Sequence, residues 1–215
     1  MTWIFLVAAG LCALFYLVFD SHTDPSARRS ASKTASVLVL SGLALTAGGP
    51  WLLVAALALS AAGDFFLSRA GDRSFLLGMA AFFSAHLAYI WLMLDLGTGG
   101  EALLQHPFWL AGLLAMTAVI YVALWPGLGV FRLPVAAYAL AIFGMGAAAL
   151  DLPTTAGSQL VLAGAALFIL SDTVLSFEKF RMNAASPWRV HASRFVWVTY
   201  WLAQALLCWG LLNWS

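Results

Sequence analysis

Long apolar runs alternate along the chain with short polar breaks. The runs cover 2–19, 34–49, 51–68, 75–96, 108–125, 132–150, 157–178 and 194–213. A bilayer core takes about 20 apolar residues per helix, with a range of about 17–25. The runs are continuous and rich in Leu and Ala, without the strict alternation a barrel strand needs. The pattern therefore predicts an all-α polytopic bundle of eight transmembrane helices in a single domain, 1–215. Only Gly48-Gly49-Pro50 separates the second run from the third. Gly permits a positive φ and Pro suits a helix start, so a hairpin is expected there. Reading those two runs as one helix would leave seven spans.

Composition narrows the class further. The chain is 63% hydrophobic and 9% charged, where a soluble domain runs about 45–50% and about 25%. A small soluble fold cannot hide that much apolar surface. Ten basic residues against nine acidic ones give a net charge of +1, with no basic patch, so nucleic acid is excluded as a partner. Cys12 and Cys208 lie in apolar runs near opposite ends and are too few for a disulfide framework or a metal site. Met1-Thr2 supplies no basic leader region and no small-x-small cleavage site precedes Asp20, so the first run is expected to be a retained helix.

The positions of the basic residues set a topology. With eight helices, Arg28, Arg29, Lys33, Arg69, Arg73, Arg132, Lys179, Arg181, Arg189 and Arg194 all fall in alternate loops on one side. The positive-inside rule makes that side cytoplasmic and places both termini outside. A seven-helix reading would split these residues across both faces. Trp3, Trp51, Trp109 and Trp214 lie at outward ends, and Trp125 and Trp188 at cytoplasmic ones, as an interfacial aromatic belt requires. Short loops and the lack of a targeting segment suit a bacterial inner membrane.

Two short segments match. Asp64-Phe-Phe-Leu-Ser68 and Asp172-Thr-Val-Leu-Ser176 both read D-x-x-L-S, 108 residues apart. A 4+4 parallel repeat would produce this spacing. Asp64 and Asp172 are also the acids that stand inside apolar runs. Asp20, Asp24, Asp72, Asp95, Glu101 and Asp151 fall in loops or at helix ends, and Glu178 sits beside Lys179 at an interface. An ionisable group in the membrane costs about 2.5–3.5 kcal/mol or more, so it calls for a reason. By helical rise, both acids sit about 7–11 Å below the cytoplasmic interface. Two carboxyls at one depth can face one cavity, where one protonated and one ionised group is the favoured arrangement. The structural alternative is a pair satisfied by Ser, Tyr, Arg69 or Lys179.

Other polar side chains converge on this level: Tyr200 and Gln204 on one face of the last helix, His86 and Tyr89 on the fourth, and Tyr138 on the sixth. Each taken alone reads as a residue bonded within the bundle. His22, His86, His106 and His191 offer no paired-ligand spacing, and only His86 is in a helix, so no metal is expected. A Ser-His-Asp triad using Ser84 or Ser171 lacks a nucleophile-elbow motif.

Gly63-Asp64, then Phe75-x-x-Gly78-x-x-x-Phe82-x-x-x-His86-x-x-Tyr89, Gly164-x-x-x-Phe168-x-x-Ser171-Asp172 and Thr199-Tyr200-x-x-Ala203-Gln204 follow in order. These motifs resemble those of the YhhN-like lysoplasmalogenase family of eight-helix membrane proteins, from about residue 33 to 210. Tyr138 also resembles a family position. Lys33 resembles a basic residue that opens the second helix in the family, with Thr34 where a Pro is expected.

The resemblance implies an ether-bond hydrolase. It would cleave the vinyl ether of a lysoplasmalogen to a fatty aldehyde and a glycerophospho-base, without metal or organic cofactor. Its partners would be the lysophospholipid substrate and membrane lipids. Vinyl ethers hydrolyse by protonation at carbon, which suits a protonated and an ionised carboxyl, by analogy with glycoside hydrolysis. Asp64 and Asp172 would take those two roles, in either order. His86, Tyr200 and Gln204 would orient water or glycerol hydroxyls. Lys33, Arg69, Tyr89, Tyr138, Ser171 and Lys179 would contact substrate, the basic ones near its phosphate. The alternative reading is a proton-coupled transporter using the same acids, which requires a polar path to both faces; a further one is a lipid-binding scaffold.

Overall fold

Each apolar run becomes a helix, and in two places the helix begins well before the run does. The computed structural model describes every residue except Met1, His22, His106, Ala184 and Ser215. The elements are α1 (Thr2–Phe15, continued by a π turn over Tyr16–Asp20), α2 (Ala27–Thr46), α3 (Trp51–Leu67), α4 (Asp72–Leu96), the short α5 (Glu101–Gln105), α6 (Pro107–Leu128), α7 (Arg132–Leu150), α8 (Ala156–Phe180) and α9 (Trp188–Leu212). Among the described residues the fold is all-helical. Among the described residues, five segments are long and apolar enough to cross a membrane: Thr2–Asp20, Asp72–Leu96, Pro107–Leu150, Ala156–Phe180 and Trp188–Leu212. The third of these holds both α6 and α7, and α3 is a shorter apolar helix. These spans make the chain an integral membrane protein.

The early start of α2 has a local cause. Helix α2 begins seven residues before the apolar run, where Ser26 caps it by accepting from the Arg29 amide at 3.2 Å. Helix α9 begins at Trp188, six residues ahead of its run. Hydropathy marks where a helix turns apolar, and a capped helix extends beyond that point. The basic residues 28, 29 and 33 thus lie on turns of α2 instead of in a loop. Between α2 and α3 the expected hairpin forms, with Gly48 at φ +71° and Trp51 opening α3 directly after Pro50.

Close helix contacts are made by small residues. Helices α8 and α9 pack along their length, as do α3 and α4. A Cβ on Gly157 would lie 2.7 Å from the Asn213 carbonyl oxygen, and one on Gly210 would lie 2.8 Å from that of Gly157. On the other pair, Gly63 leaves room for the Phe82 ring and Gly78 for Leu67. With little hydrophobic drive between helices in lipid, such backbone approach supplies the packing energy. Its consequence is positional: it holds Asp64 beside α4 and Asp172 beside α9. Trp3, Trp51, Trp109 and Trp188 remain largely exposed, in keeping with an interfacial belt.

Two acids expected at loops or helix ends prove to be buried. Asp20 accepts from Arg28 Nε at 2.9 Å and from the Ser32 hydroxyl at 2.8 Å. Asp151 accepts from the Thr98 hydroxyl at 2.6 Å and the Gly100 amide at 2.9 Å. Both tie a connection to a helix end. Burial pushes the Asp151 carboxyl up, but the hydrogen bonds from Thr98 and the Gly100 amide outweigh it and hold the carboxyl below its usual range.

Candidate active site

A cavity of about 310 Å³ lies where α2, α3, α4, α8 and α9 meet. Asp64 and Asp172 both line it, together with Lys33, Tyr200 and Phe82. Two carboxyls 108 residues apart in sequence therefore line one open cavity.

Their surroundings differ. Asp64, on the last turn of α3, is fully buried. Lys33 Nζ from α2 stands 3.2 Å from its Oδ1, and the Tyr200 hydroxyl from α9 donates to Oδ2 at 2.7 Å. Oδ1 has the ion pair but no hydrogen bond of good geometry. Lys33 reaches the acid past two rings, with Nζ 5.7 Å from the Trp197 centroid and 5.9 Å from that of Tyr16. Such cation–π contacts help offset the cost of drawing an ammonium out of water.

Asp172, on α8, has no Lys or Arg partner among the described residues. The Tyr138 hydroxyl from α7 donates to its Oδ2 at 2.7 Å. His86 Nε2 from α4 lies 3.9 Å from the same oxygen. The other ring nitrogen, Nδ1, is 2.7 Å from the Phe82 carbonyl. A carbonyl only accepts, so Nδ1 carries a proton, and Nε2 presents a lone pair toward Asp172 when the ring is neutral. Nε2 has no hydrogen-bond partner.

The remaining residues expected at the site divide into three groups. Ser171, Arg69 and Lys179 line the cavity with the acids. Ser171 is spent on structure, donating to the Val196 carbonyl at 3.0 Å. Lys179 pairs with Asp72 at 3.4 Å and lies over the Phe75 ring. Tyr138 and His86 approach Asp172 from outside the cavity lining. Tyr89 and Gln204 form a buried pair, the Tyr89 hydroxyl donating to Gln204 Oε1 at 2.7 Å, and neither lines the cavity. Phe82 and Phe168 pack edge to face with each other and with Tyr200. Neither candidate serine of the triad bonds His86: Ser84 is exposed and donates to the Ala80 carbonyl at 2.9 Å. Among the described residues no three of His, Cys, Asp and Glu converge as metal ligands; His22 and His106 lie outside those residues.

Sequence reasoning passed over three charged residues at the cavity. Arg29 lines it because α2 starts early. Glu178, placed at an interface, is mostly buried and lines it. Arg189, on the early first turn of α9, lines it and pairs with Glu178 at 3.6 Å. The signal available for Arg29 was Ser26, three residues before it, at N-cap spacing.

Comparison with known proteins places this geometry in a lineage. The chain is 35% identical over 210 residues to rat "Lysoplasmalogenase TMEM86B", an alignment covering 94% of this chain and 80% of the rat protein. It is 34% identical to the pig protein of that name and 32% to the human one, each over 200 residues, 91% of this chain and 80% of the relative. No solved structure matches the chain. The YhhN family matches residues 28–211, a stretch that holds Lys33, both cavity acids and both of their tyrosines, and the chain accordingly belongs to the YhhN family.

Proposed function

We propose that the protein is a lysoplasmalogenase that hydrolyses the vinyl ether of alkenyl lysophospholipids by acid–base catalysis between Asp172 and Asp64. The observation that carries this reading is the unequal pairing of two carboxyls on one cavity. An ammonium at 3.2 Å favours the carboxylate form of Asp64. Asp172 meets a phenol and an imidazole lone pair instead, and a lone pair facing a carboxyl favours its protonated form. The relatives' shared name supplies the substrate class.

The chemistry then runs as follows. Asp172 transfers its proton to the alkene carbon remote from the ether oxygen, leaving an oxocarbenium ion. Asp64, through the lone pair of Oδ1 that bears no hydrogen bond, takes a proton from water as the water oxygen bonds to the cationic carbon. The hemiacetal collapses when its hydroxyl proton returns to Asp172 and protonated Asp64 delivers a proton to the glycerol oxygen as the C–O bond breaks. Aldehyde and glycerol hydroxyl leave, and both acids are back in their starting forms. Tyr138 and Tyr200 hold the two carboxyls, and His86 faces Asp172 with its Nε2 at 3.9 Å. Lys33 serves Asp64 and so sits deeper than a phosphate ligand. Eight spans with both termini outside and a site open to the cytoplasmic leaflet suit a lysolipid whose vinyl ether lies just below its headgroup. The Phe82–Phe168 cluster beside the acids disfavours a polar through-path, and with it the transporter reading.

The test is aldehyde release from an alkenyl lysophospholipid by purified protein, comparing wild type with Asp64→Asn and Asp172→Asn. Loss in both variants is expected. Full activity in either one removes the two-carboxyl mechanism. Cleavage of ester lysolipids without vinyl ether cleavage removes the substrate assignment.

A further inference from the structure

The cavity mouth has more positive charge than its acids use, and the surplus is localised. Five basic side chains line it: Arg29, Lys33, Arg69, Lys179 and Arg189. Three are matched, Lys33 by Asp64, Lys179 by Asp72 and Arg189 by Glu178. Among the described residues, neither Arg29 nor Arg69 has a carboxylate within ion-pair distance, although Arg29 feels the charge of Glu178. Arg29 is half-buried; its NH1 donates to the Ser68 carbonyl at 3.4 Å, while its Nε is buried with no hydrogen-bond partner. Arg69 follows Ser68 directly and its guanidinium lies 4.5 Å from the Phe65 ring centroid. A guanidinium buried at Nε without an acceptor is costly unless a ligand supplies one.

Resting on the lysolipid reading above, we propose that Arg29 and Arg69 form the headgroup subsite and grip the phosphate diester of the substrate. Guanidinium forks match phosphate oxygens in geometry and charge. The spacing fits. Ser68, to which Arg29 is tied, is four residues beyond Asp64 on the same helix line, a rise of about 6 Å. In a 1-alkenyl glycerophospholipid, five bonds separate the ether oxygen from phosphorus, which at ordinary bond lengths is also roughly 6 Å. A phosphate held between the two guanidiniums thus sets the vinyl ether at the level of Asp64. The pair also explains a division of labour: Lys33 tunes an acid, while Arg29, four residues earlier on the same face of α2, reads the substrate.

The experiment measures binding and turnover side by side in detergent. The binding probes are a non-cleavable 1-alkyl lysophosphoethanolamine and the 1-alkylglycerol of equal chain length. The turnover substrates are the corresponding 1-alkenyl lipids. Wild type is expected to bind the phosphate-bearing ether at least tenfold more tightly. The Arg29→Gln/Arg69→Gln double variant is expected to lose that preference, with KM for the alkenyl lysophospholipid raised at least tenfold and turnover of alkenylglycerol unchanged. A double variant that keeps the preference overturns the proposal. If the double variant does not fold, Arg69→Gln alone, at an exposed position, must lower the preference at least threefold, and an unchanged ratio overturns the subsite equally. Displacement of the probe by inorganic phosphate as effectively as by glycerophosphoethanolamine would mark a free-anion site and overturn the headgroup assignment. If wild type shows the binding preference yet releases no aldehyde, the hydrolase reading fails and the subsite stands. If it hydrolyses both alkenyl lipids equally and binds both ethers equally, the subsite fails and the hydrolase reading stands.

Discussion

The helix pairs that carry the two D-x-x-L-S segments are built alike around unlike partners. Asp64 on α3 receives Lys33 from the preceding long helix, α2. Asp172 on α8 receives Tyr138 from its preceding long helix, α7. One arrangement thus offers a cation to the first acid and a neutral phenol to the second. The difference is one ammonium, and the proposed division of acid and base between the two carboxyls rests on it. The serines of the two segments diverge as well. Ser68 is buried and meets the Ser30 hydroxyl at 2.6 Å, while Ser176 lines a groove between α6, α7 and α8.

The largest test of this contrast removes each acid. Asp172→Asn and Asp64→Asn should each lower kcat for aldehyde release by about 10²–10⁴-fold, the usual weight of a general acid or base. Asp172→Asn should melt near wild type, because Asn keeps the shape of Asp, while Asp64→Asn should melt lower, because it leaves Lys33 without its carboxylate. If only one variant is impaired, the pair does not act as a pair. Next, Lys33→Met erases the asymmetry by leaving both acids with neutral partners. A charge-assisted contact of about 1.5–3 kcal/mol predicts a loss of about 10–100-fold in kcat. Rates equal to wild type would show that Lys33 does not set the state of Asp64. Tyr138→Phe and Tyr200→Phe each remove one neutral donor. Steady-state rates should drop by about 2–10-fold, from about 0.5–1.5 kcal/mol, and a fall beyond a hundredfold at either tyrosine would give it a chemical role of its own.

The smallest expected effect on activity is at Asp151, buried like the cavity acids but satisfied by donors. Its carboxyl titrates below its usual range in the folded protein. The stability it contributes is therefore present above about pH 4, the unfolded value, and is lost as pH falls through the lower folded value. Asp151→Asn should lower the melting temperature at pH 7, flatten its decline toward acid and leave aldehyde release per folded molecule unchanged. A variant with an unaltered acid limb would show that Asp151 does not provide this stability. Burial of an acid is thus a weak sign of function in this chain. A cavity beside an oxygen that lacks a hydrogen bond is the stronger one.

Much of the site was legible in the sequence because the relevant signals are local. Asp64 and Asp172 stood out as acids within apolar runs, and helical rise gave them one depth. Tyr200 and Tyr138 were placed at the same level, though not assigned to their respective acids. Tyr89 and Gln204 bond each other and do not line the cavity themselves, but Gln204 adjoins Tyr200, which bonds Asp64. Ser171 likewise serves the α8–α9 contact. Arg29 was missed because hydropathy cannot show a helix that starts in polar sequence, and Glu178 because its neighbour Lys179 made the position look like an interface.

The sequence alone determined a helical membrane bundle, its two acids within apolar runs and its family, since hydropathy, helical rise and motif order are properties of the chain itself. Tertiary structure decided which acid has the cation, which has the phenol, and which arginines remain unmatched. Those outcomes depend on how long side chains from separate helices meet across a cavity. Small-residue contacts such as Gly157 with Gly210 set that geometry to within an ångström or two. At such separations, an ammonium beside a buried carboxyl favours its charged form far more than a hydroxyl does.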